Sequence, residues 1–366
     1  MIYRARRLLG RAGFVVAVFV ATRVLAIGAT HLGAALMTPE KIAQWQWIPN
    51  RDNLFPGPGP SRFLAPLVRW DANFYVSLTR DGYPPWHPGA NHHLAFFPLY
   101  PLLLRATRLD VFQAAFLVSN ACALLAALLI ARLLPRRADG LRAAVLFLCS
   151  PGAHFFTYPY SEALFAAALA ASLLALRSER FLAAGLAGAV ASATRSPGVA
   201  AAVALVTQAA VAVRGRWRAL AGAALALGGI GAFMWWCRTA QGDALAFVHL
   251  QSFHGRKLSL LGPFRAFLAF DNDPDYYVVS IAALYVAARL IRRAPAWQWV
   301  TAAFLVLLPL ATGTLAAMIR YQSANVPLVA GVPLIARGRR FWLIAALCCA
   351  LMCFEAFLFG KGIGHY

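Results

Sequence analysis

Long apolar runs separated by short arginine-bearing connectors make up most of the chain. The runs Ala163 to Leu176 and Phe341 to Phe354, for example, contain no acidic or basic side chain. Runs of this kind are typical of helices that cross a membrane. The pattern predicts an all-α, polytopic integral membrane protein of about eleven spans, which fall near residues 13–36, 110–132, 142–157, 161–177, 181–195, 198–213, 217–238, 276–291, 297–314, 321–336 and 341–359.

The composition agrees with a membrane protein and excludes an ordinary soluble enzyme. Of the 366 residues, 61% are apolar and only 13% are charged, whereas a globular chain is about half apolar and about a quarter charged. The spans leave no room for an independently folded cytoplasmic domain, which excludes a pump with its own nucleotide-binding module. Residues 1–366 are therefore predicted to form a single membrane domain.

The basic excess predicts an orientation in the membrane. The chain has 34 basic and 13 acidic side chains, a net charge of +21. If the N-terminus is cytoplasmic, 19 of the basic side chains fall in cytoplasmic connectors, together with only two acidic ones, Asp139 and Glu179. This is the positive-inside pattern, so the charge does not indicate a nucleic-acid partner. The six cysteines all lie in apolar runs, which indicates packing residues and not a disulfide framework.

Two long segments between spans, residues 38–109 and residues 239–275, are predicted to be loops on the outer face. The segment Leu94–Leu104 has only eleven residues and contains two prolines, so we assign it to the outer surface. Short middle spans meet at proline-containing breaks, which predicts an outward-facing, partly lipidic cavity capped by the two loops. The breaks are Ser150-Pro151-Gly152, Tyr158-Pro159 and Ser196-Pro197-Gly198.

The first outer loop carries the best candidate for acid–base chemistry, Asp71. It follows Trp70 and precedes a predicted short helix over 72–80, and tryptophan favours the membrane interface. A carboxylate in this place can take a proton from a sugar hydroxyl as a general base. Aspartate is also a favoured helix cap. On residue type alone both interpretations of Asp71 stay open, and the helix cap is favoured over the general base.

An ordered set of short motifs gives the chain a resemblance to a known family. The motifs are Arg69-Trp70-Asp71, Gly82-Tyr83, Ala95-Phe96-Phe97-Pro98-Leu99-Tyr100-Pro101, Ser150-Pro151 with Phe155-Phe156 and Tyr160-Ser161-Glu162, Thr194-Arg195-Ser196-Pro197-Gly198, Phe247 to Gln251 with Gly255-Arg256, and Arg320-Tyr321. As a set they resemble the PIG-V mannosyltransferase family, which belongs to the GT-C glycosyltransferases. The motifs span nearly the whole chain, and all of them fall on the same predicted outer face.

The resemblance implies a GT-C-like membrane bundle and a sugar transfer with inversion. In such enzymes the donor is a polyprenyl- or dolichyl-phosphate sugar, and the resemblance implies that the sugar here is mannose. The aspartate of the first loop is the base in these enzymes. The resemblance therefore favours the interpretation of Asp71 as the general base over its interpretation as a helix cap. The leaving group is a lipid phosphate, so no nucleotide is needed at the site. The residues expected to bind substrate are Arg69, Trp70, Tyr83, His92, His93, Tyr160, Glu162, Arg195, Gln251, Arg256, Arg320 and Tyr321.

Two departures from the family pattern concern a second carboxylate and the acceptor. The family often has an acidic residue shortly after the Gly-Tyr pair, whereas Pro84-Pro85-Trp86-His87 follows here. Eukaryotic members have a Trp-Asn-Val-Gly motif in the later outer loop, where this chain reads Gln251 to Lys257 and is similar to bacterial relatives. The eukaryotic acceptor, a glycosylphosphatidylinositol precursor, is therefore not carried over.

Several of these residues have a second interpretation. Arg320 and Arg195 are placed to hold the donor phosphate in a bidentate fork, and Arg195 fits a snorkelling interface residue equally well. His92 and His93 either contact the donor phosphate or acceptor or are solvated loop side chains. Glu162 either caps the helix that it opens or orients a sugar hydroxyl, and the cap is favoured.

Two further features are interpreted as structural. Arg23, in the middle of the first span, is expected to face the bundle and to pair with a carboxylate or with backbone carbonyls. The segment Asp271 to Asp275 begins like a calcium loop but lacks the later glycine and glutamate, so we interpret it as a solvated acidic turn. We expect no cofactor, and at most a loose divalent cation that the reaction does not require.

The sequence thus predicts a multi-pass glycosyltransferase of the plasma (inner) membrane whose active site faces the periplasm or exterior. Its partners would be a lipid-phosphate sugar donor, a lipid, glycan or protein acceptor and membrane lipids, with no nucleic acid. The main alternative is a transporter or flippase of a lipid-linked sugar, which would not need Asp71 as a base. Such transporters often contain paired half-repeats, and no convincing repeat is present. A non-catalytic scaffold is disfavoured because the polar aromatic motifs concentrate on one face.

Overall fold

The structure is a computed structural model of the chain. It describes residues 2–38, 40, 61–84, 92–212, 214–251, 256–269 and 273–364. Parts of both predicted outer loops, including Pro85-Trp86-His87 and the start of the acidic turn at Asp271 and Asn272, lie outside the described residues.

The described residues form α-helices joined by turns and short 3-10 segments, and they include no β-strand. The 3-10 segments are Ala65–Leu67, His92–Ala95, Ala153–Phe156 and Ser196–Val199. The helices are α1 (Ile2–Ala35), α2 (Ser61–Leu64), α3 (Asp71–Asp81), α4 (Leu99–Ala106), α5 (Val111–Leu133), α6 (Arg137–Cys149), α7 (Glu162–Arg177), α8 (Phe181–Thr194), α9 (Ala200–Val211), α10 (Arg216–Ala226), α11 (Gly228–Gln241), α12 (Ala246–His249), α13 (Gly262–Leu268), α14 (Pro274–Leu290), α15 (Ala296–Leu310), α16 (Met318–Ser323), α17 (Val326–Ile335) and α18 (Gly338–Gly360).

Every predicted span contains an observed helix, and the all-α membrane class is confirmed. Within the described residues, four helical stretches are long and apolar enough to cross a membrane: Gly10–Ala35, Val111–Leu133, Arg216–Gln241 and Gly338–Gly360. Shorter apolar helices occupy Phe181–Thr194, Ser196–Val211, Ala296–Leu310 and Val326–Ile335. The number of eleven spans stays a prediction, as does the side of the membrane on which each loop lies.

The proline-containing breaks fall where the sequence predicts them. Helix α6 ends at Cys149 and α8 ends at Thr194, and a 3-10 segment follows each of them. Most side chains around the first two breaks are buried, among them Tyr158 and Tyr160 at 0% and 1% exposure, whereas Ser196 in the third break is exposed. Interrupted helices are tolerated at membrane depth where protein covers the freed backbone groups. The first two breaks are therefore packed inside the bundle, and the outward-facing cavity stays a prediction.

Helix α7 lies at the centre of the bundle. It is buried on nearly all sides from Glu162 to Ala170, and it packs against α5 and α8. A helix that is apolar all round needs such complete enclosure by its neighbours. Because the N-terminal residue of this helix is Glu162, the fold carries a carboxylate into the interior of the protein.

The first and last long helices, α1 and α18, pack closely along each other. Their contact depends on glycine: a Cβ added at Gly33 would collide with the carbonyl oxygen of Phe357, and one at Gly360 would collide with the carbonyl oxygen of Thr30. Close helix approach at small residues is a usual way to join membrane helices, because lipid supplies little hydrophobic drive for their association.

We expect Gly33→Ala to destabilise the protein, because the new methyl group meets backbone of α18 and the helices must separate. Overpacking of this kind costs about 1–3 kcal/mol. The matched control is Gly28→Ala on the same helix, where no atom lies within 4 Å of the added Cβ. Thermal unfolding of the purified variants in detergent measures the difference, and equal midpoints would contradict the packing.

Candidate active site

Four charged side chains from distant parts of the chain form one connected ion-pair chain. Arg320 Nη1 donates to Asp71 Oδ2 at 2.7 Å, and Arg320 Nε lies 3.1 Å from Glu162 Oε1. Arg195 pairs with the same Oε1 atom of Glu162. The pairs connect the four side chains in the order Asp71, Arg320, Glu162 and Arg195. We call these four residues the ion cluster.

Each member of the ion cluster lies at the end of a helix or in a short one. Asp71 and Glu162 are the first residues of α3 and α7, and Arg195 directly follows α8. Arg320 lies within the six-residue helix α16. The positive end of a helix dipole stabilises a carboxylate in the first turn, so both acids occupy positions that favour their negative charge.

A close backbone approach brings α16 to the cluster. The N–H group of Gly152 donates to Ser323 Oγ at 2.8 Å. A Cβ at this glycine would lie 2.7 Å from the carbonyl oxygen of Ile319 and 3.0 Å from the Cα atom of Arg320. Only glycine leaves room for this contact. The Ser-Pro-Gly break therefore positions Arg320.

Aromatic rings surround the Arg320 guanidinium group. Its central carbon lies 5.7 Å from the ring centre of Phe155 and 5.3 Å from those of Tyr160 and Tyr321. Such cation–π contacts strengthen as water is removed, and Arg320 is only 4% exposed. A buried charge is costly unless it is hydrogen-bonded or paired with an opposite charge, and Asp71 and Glu162 supply the opposite charge here.

The two carboxylates of the cluster differ in their access to substrate. The Asp71 side chain is 25% exposed, whereas that of Glu162 is 1% exposed. A general base must reach the proton that it removes. Of the two, Asp71 is therefore the candidate base, and Glu162 can act only through the arginines that it holds.

The capping interpretations of both acids are wrong. The N-cap positions of α3 and α7 are Trp70 and Ser161, so neither Asp71 nor Glu162 is the cap residue. Each carboxylate points to arginine instead. The sequence places both acids at helix starts, but it carries no signal for arginines that come from other helices.

Trp70, immediately before Asp71, has an unusual backbone conformation. Its φ of 47° and ψ of −122° lie in a region that glycine adopts far more readily than other residues. The Trp70 ring packs against Phe359, with ring centres 4.9 Å apart. Strained backbone of this kind costs on the order of 1–3 kcal/mol and clusters at functional sites. Here it sets the angle at which the helix starting with Asp71 leaves the loop.

Arg256 and Tyr321 form a second polar contact beside the cluster. Arg256 Nη1 donates to the Tyr321 hydroxyl at 3.0 Å, and the Arg195 guanidinium lies 5.3 Å from the centre of the same ring. The Arg256 backbone N–H donates to the carbonyl oxygen of Gln251 at 3.0 Å. Among the described residues, no carboxylate lies within 4.0 Å of the Arg256 guanidinium. Arg256 is thus a candidate contact for an anionic ligand.

The remaining residues predicted to bind substrate stabilise the first loop. The Tyr160 hydroxyl donates to the Arg69 carbonyl at 3.0 Å, and the Tyr83 hydroxyl donates to that of Phe96 at 2.5 Å. Burial lowers the pKa of Arg69 to about 10. His93 is fixed against α3 through a 3.2 Å contact between its Nε2 atom and Ser77 Oγ.

The histidine pair is therefore not a pair of solvated loop side chains. His92 and His93 are both partly buried, and burial, followed by the charge of its neighbour, lowers the pKa of His93. Ser77 is six residues after Asp71, or about 9 Å along a helix. The pair lies beside the candidate site, and its contact with substrate stays a prediction.

The arginines differ from their predicted surroundings. Arg320 and Arg195 are both paired with carboxylates, and the Arg195 side chain is 14% exposed. The Nη1 and Nε atoms of Arg320 are thus already paired with carboxylates. The expectation for Arg23 is confirmed: it donates to the carbonyls of Ala153 at 2.8 Å and Leu148 at 3.0 Å.

Two residues that organise α16 and α17 are absent from the predicted site. Ser323 receives the Gly152 hydrogen bond, and the Asn325 side chain caps α17 by accepting from the Leu328 N–H at 3.3 Å. The sequence does contain a signal for the Asn325 cap, because Asn325 is followed by Pro327 in the first turn and this order is typical of a helix start. The sequence contains no comparable signal for the contact between Ser323 and Gly152.

The described part of the chain contains no group of three or more histidine, cysteine or acidic side chains that could hold a metal ion. The acidic turn considered above is only partly described, from Asp273 onward. A loose divalent contact there stays a prediction.

Fold and site together define a polytopic membrane protein that holds a solvent-accessible aspartate against a buried arginine network. The family model described as Mannosyltransferase (PIG-V) matches residues 15–221, which is more than half of the 366 residues. The chain belongs to this family, and the resemblance that the motifs indicated is confirmed. The matched range includes Asp71, Glu162 and Arg195, whereas Arg256 and Arg320 lie beyond it.

Curated relatives match part of the chain. The GPI alpha-1,6-mannosyltransferase 2 of Mus musculus is 34% identical over 155 residues, and that of Rattus norvegicus is 33% identical over the same length. Each match covers 37% of this chain and 30% of the relative, so the chain matches less than a third of these relatives' length.

A solved structure resembles the chain distantly. It is the archaeal oligosaccharyltransferase AglB from Archaeoglobus fulgidus in complex with an inhibitory peptide and a dolichol-phosphate. The TM-score is 0.46 at 12% identity, over 96% of this chain and 56% of that chain.

We expect Glu162→Gln to destabilise the protein strongly. The change leaves the buried Arg320 and the partly buried Arg195 with one carboxylate fewer, and breaking a buried ion pair typically costs about 3–5 kcal/mol. The control is Glu179→Gln, which neutralises an exposed acid and should change stability by less than about 0.5 kcal/mol. Unfolding in detergent measures both, and equal stabilities would show that Glu162 is not needed to hold the arginines.

Proposed function

We propose that the protein transfers a hexose, mannose by its family, from a polyprenyl-phosphate sugar to an acceptor hydroxyl with inversion. The observation that carries the proposal is the Asp71 carboxylate, which is partly exposed and is fixed by Arg320 at 2.7 Å. Membership of the mannosyltransferase family supports the reaction class. The face is the periplasmic or outer side of the plasma membrane, as the arginine pattern of the connectors favours.

In the proposed step, an Asp71 carboxylate oxygen takes the proton of the acceptor hydroxyl as the hydroxyl oxygen bonds to the anomeric carbon. The bond between the anomeric carbon and the donor phosphate oxygen breaks, and the lipid phosphate leaves with the electron pair. Asp71 gives up its proton to solvent afterwards. General-base catalysis and electrostatic stabilisation of the leaving group suffice for this reaction, so we propose no nucleotide and no required metal.

The leaving phosphate needs a cation, and Arg256 is the residue best placed to supply one. Its guanidinium is bound to the Tyr321 hydroxyl but to no carboxylate of the described residues. Arginine can bind two phosphate oxygens at once. We therefore assign the phosphate contact to Arg256 and a positioning role to Arg320, Arg195 and Glu162.

We expect Asp71→Asn to lower sugar transfer by roughly 10²–10⁴-fold, the usual contribution of general-base catalysis. Asparagine keeps the size of the side chain and an oxygen that can accept from Arg320, so the protein should still fold and insert. The assay uses purified protein, a polyprenyl-phosphate mannose and candidate acceptors, with thermal unfolding as the control for folding.

Sugar transfer at the wild-type rate by the Asp71→Asn variant would contradict the mechanism. A transporter or flippase would show no transfer by purified wild-type protein at all, whereas the enzyme shows transfer that Asp71→Asn removes. Acceptors of several classes, lipid, glycan and peptide, must be offered in parallel, because the eukaryotic acceptor is not carried over by resemblance.

We expect Arg256→Ala to raise the KM for the lipid-phosphate donor by about tenfold or more, since a hydrogen bond to a charged group contributes about 1.5–3 kcal/mol. Arg256→Lys should restore part of this loss, because a point charge binds phosphate without the bidentate geometry. Lys257→Ala is the control for loss of a neighbouring positive charge. A donor KM that is equal in wild type and Arg256→Ala would remove Arg256 from the phosphate site.

A further inference from the structure

A second group of arginines surrounds an open cavity away from the ion cluster. The cavity has a volume of about 460 Å³, within the range of pockets that hold small ligands. Four of its six lining residues are arginines and the other two are apolar. They are Arg293, Arg337, Arg339 and Arg340, with Leu334 and Ile335.

The cavity is formed by two connectors that are distant in sequence. Arg293 follows α14, while the other three arginines lie between α17 and the first turn of α18. The two connectors meet where Arg293 Nη1 approaches the carbonyl oxygen of Leu334 at 3.5 Å. The fold therefore brings arginines of two connectors together at one place. The positive-inside pattern alone would place arginines in the connectors but would not bring them to one cavity.

These four charges have no acidic partner in the described part of the protein. No carboxylate there lies within 4.0 Å of any of them. Asp139, the acidic residue in the first turn of α6, is paired with Arg142 at 3.0 Å. The contrast with the ion cluster is direct, because there every buried arginine has a carboxylate. Four unpaired arginines around one cavity attract an anion.

The backbone at the cavity favours the same ligand. Helix α18 begins at Gly338, between the arginines that line the cavity, and runs for 23 residues. Its N-cap residue, Arg337, makes no side-chain capping bond, and its first turn has no acidic residue. The free N–H groups at the start of a helix bind anions, phosphate in particular. Arginine adds bidentate contacts to phosphate oxygens.

The surroundings indicate that the anion belongs to a lipid. Leu334 and Ile335 form the apolar part of the cavity wall at the end of α17. Trp342, one turn into α18, is 48% exposed, and tryptophan in such a place marks the interface between membrane and water. A ligand with a phosphate head and an apolar tail matches both parts of the wall.

We propose that this cavity binds the phosphate head group of an anionic phospholipid, with an acyl chain along Leu334 and Ile335. The site lies at the opposite end of α17 from the ion cluster, and the ten residues of that helix span about 15 Å. Basic pockets between membrane helices on the cytoplasmic side are suited to acidic lipid head groups. The proposal does not depend on the catalytic role of Asp71.

The test measures lipid binding to the purified full-length protein in neutral detergent by native mass spectrometry. The protein is titrated with phosphatidylglycerol, with phosphatidylcholine of the same chain length, or with inorganic phosphate. The test variant carries Arg293→Gln, Arg339→Gln and Arg340→Gln together. The control variant carries Arg214→Gln, Arg216→Gln and Arg218→Gln, which removes the same charge from another arginine-rich connector that does not line the cavity.

We expect phosphatidylglycerol to bind in preference to phosphatidylcholine, and high salt to weaken it. The test variant should bind roughly 100-fold more weakly, because each basic residue near an anionic lipid surface contributes about a fivefold factor, while the control variant should bind as wild type does. If the triple variant does not fold, the single change Arg339→Gln should still weaken binding about fivefold.

Three results would overturn the proposal. Equal weakening in the test and control variants would show only a general effect of charge. Equal binding of phosphatidylcholine would show that the cavity does not select an anion. Inorganic phosphate that competes fully with phosphatidylglycerol would assign the cavity to a soluble phosphate and not to a lipid.

Discussion

The buried charge of Arg320 is the constraint on which the candidate site depends. An isolated guanidinium in the protein interior is strongly unfavourable, so the fold must bring hydrogen-bond acceptors or an opposite charge to it. Asp71 and Glu162 meet this requirement from two different helix starts, and Asp71 is 249 residues away in sequence. Satisfying one buried cation therefore joins the long loop after α1, the centre of the bundle and the short helix α16.

In this arrangement the carboxylates of Glu162 and Asp71 have different surroundings, although in the sequence both stand at the start of a helix. Glu162, almost fully buried between two arginines, stabilises the network and has no access to substrate. Asp71 is held by the same network but remains 25% exposed, so it can meet a hydroxyl. The strained backbone of Trp70 and its packing on Phe359 set the direction of the helix that begins at Asp71.

The two ends of the bundle use arginine in opposite ways. In the ion cluster, arginines are buried and neutralised by acids, and the neighbouring Arg256, whose guanidinium has no acidic partner among the described residues, is bound to a tyrosine hydroxyl. Around the cavity lined by Arg293, Arg337, Arg339 and Arg340, the arginines have no acidic partner in the described part of the chain. In the proposed mechanism the first arrangement orients Asp71 for catalysis, and the second leaves positive charge for the head group of the proposed lipid.

The sequence by itself determined the features that depend on near neighbours in the chain. It predicted an apolar helix in every span, the breaks at Ser150 to Gly152 and Ser196 to Gly198, and a short helix after Trp70, because hydrophobic length, proline and glycine act locally. It also predicted that Arg23 would face the interior of the bundle, because a charged side chain within a span is costly when it faces lipid. Only the tertiary structure decided the partners of Glu162, Arg195 and Arg320, which the sequence had assigned to a helix cap and to donor phosphate. The physical reason is that an ion pair forms wherever the fold brings two charges together, and residues far apart in the chain carry no local pattern that records this approach.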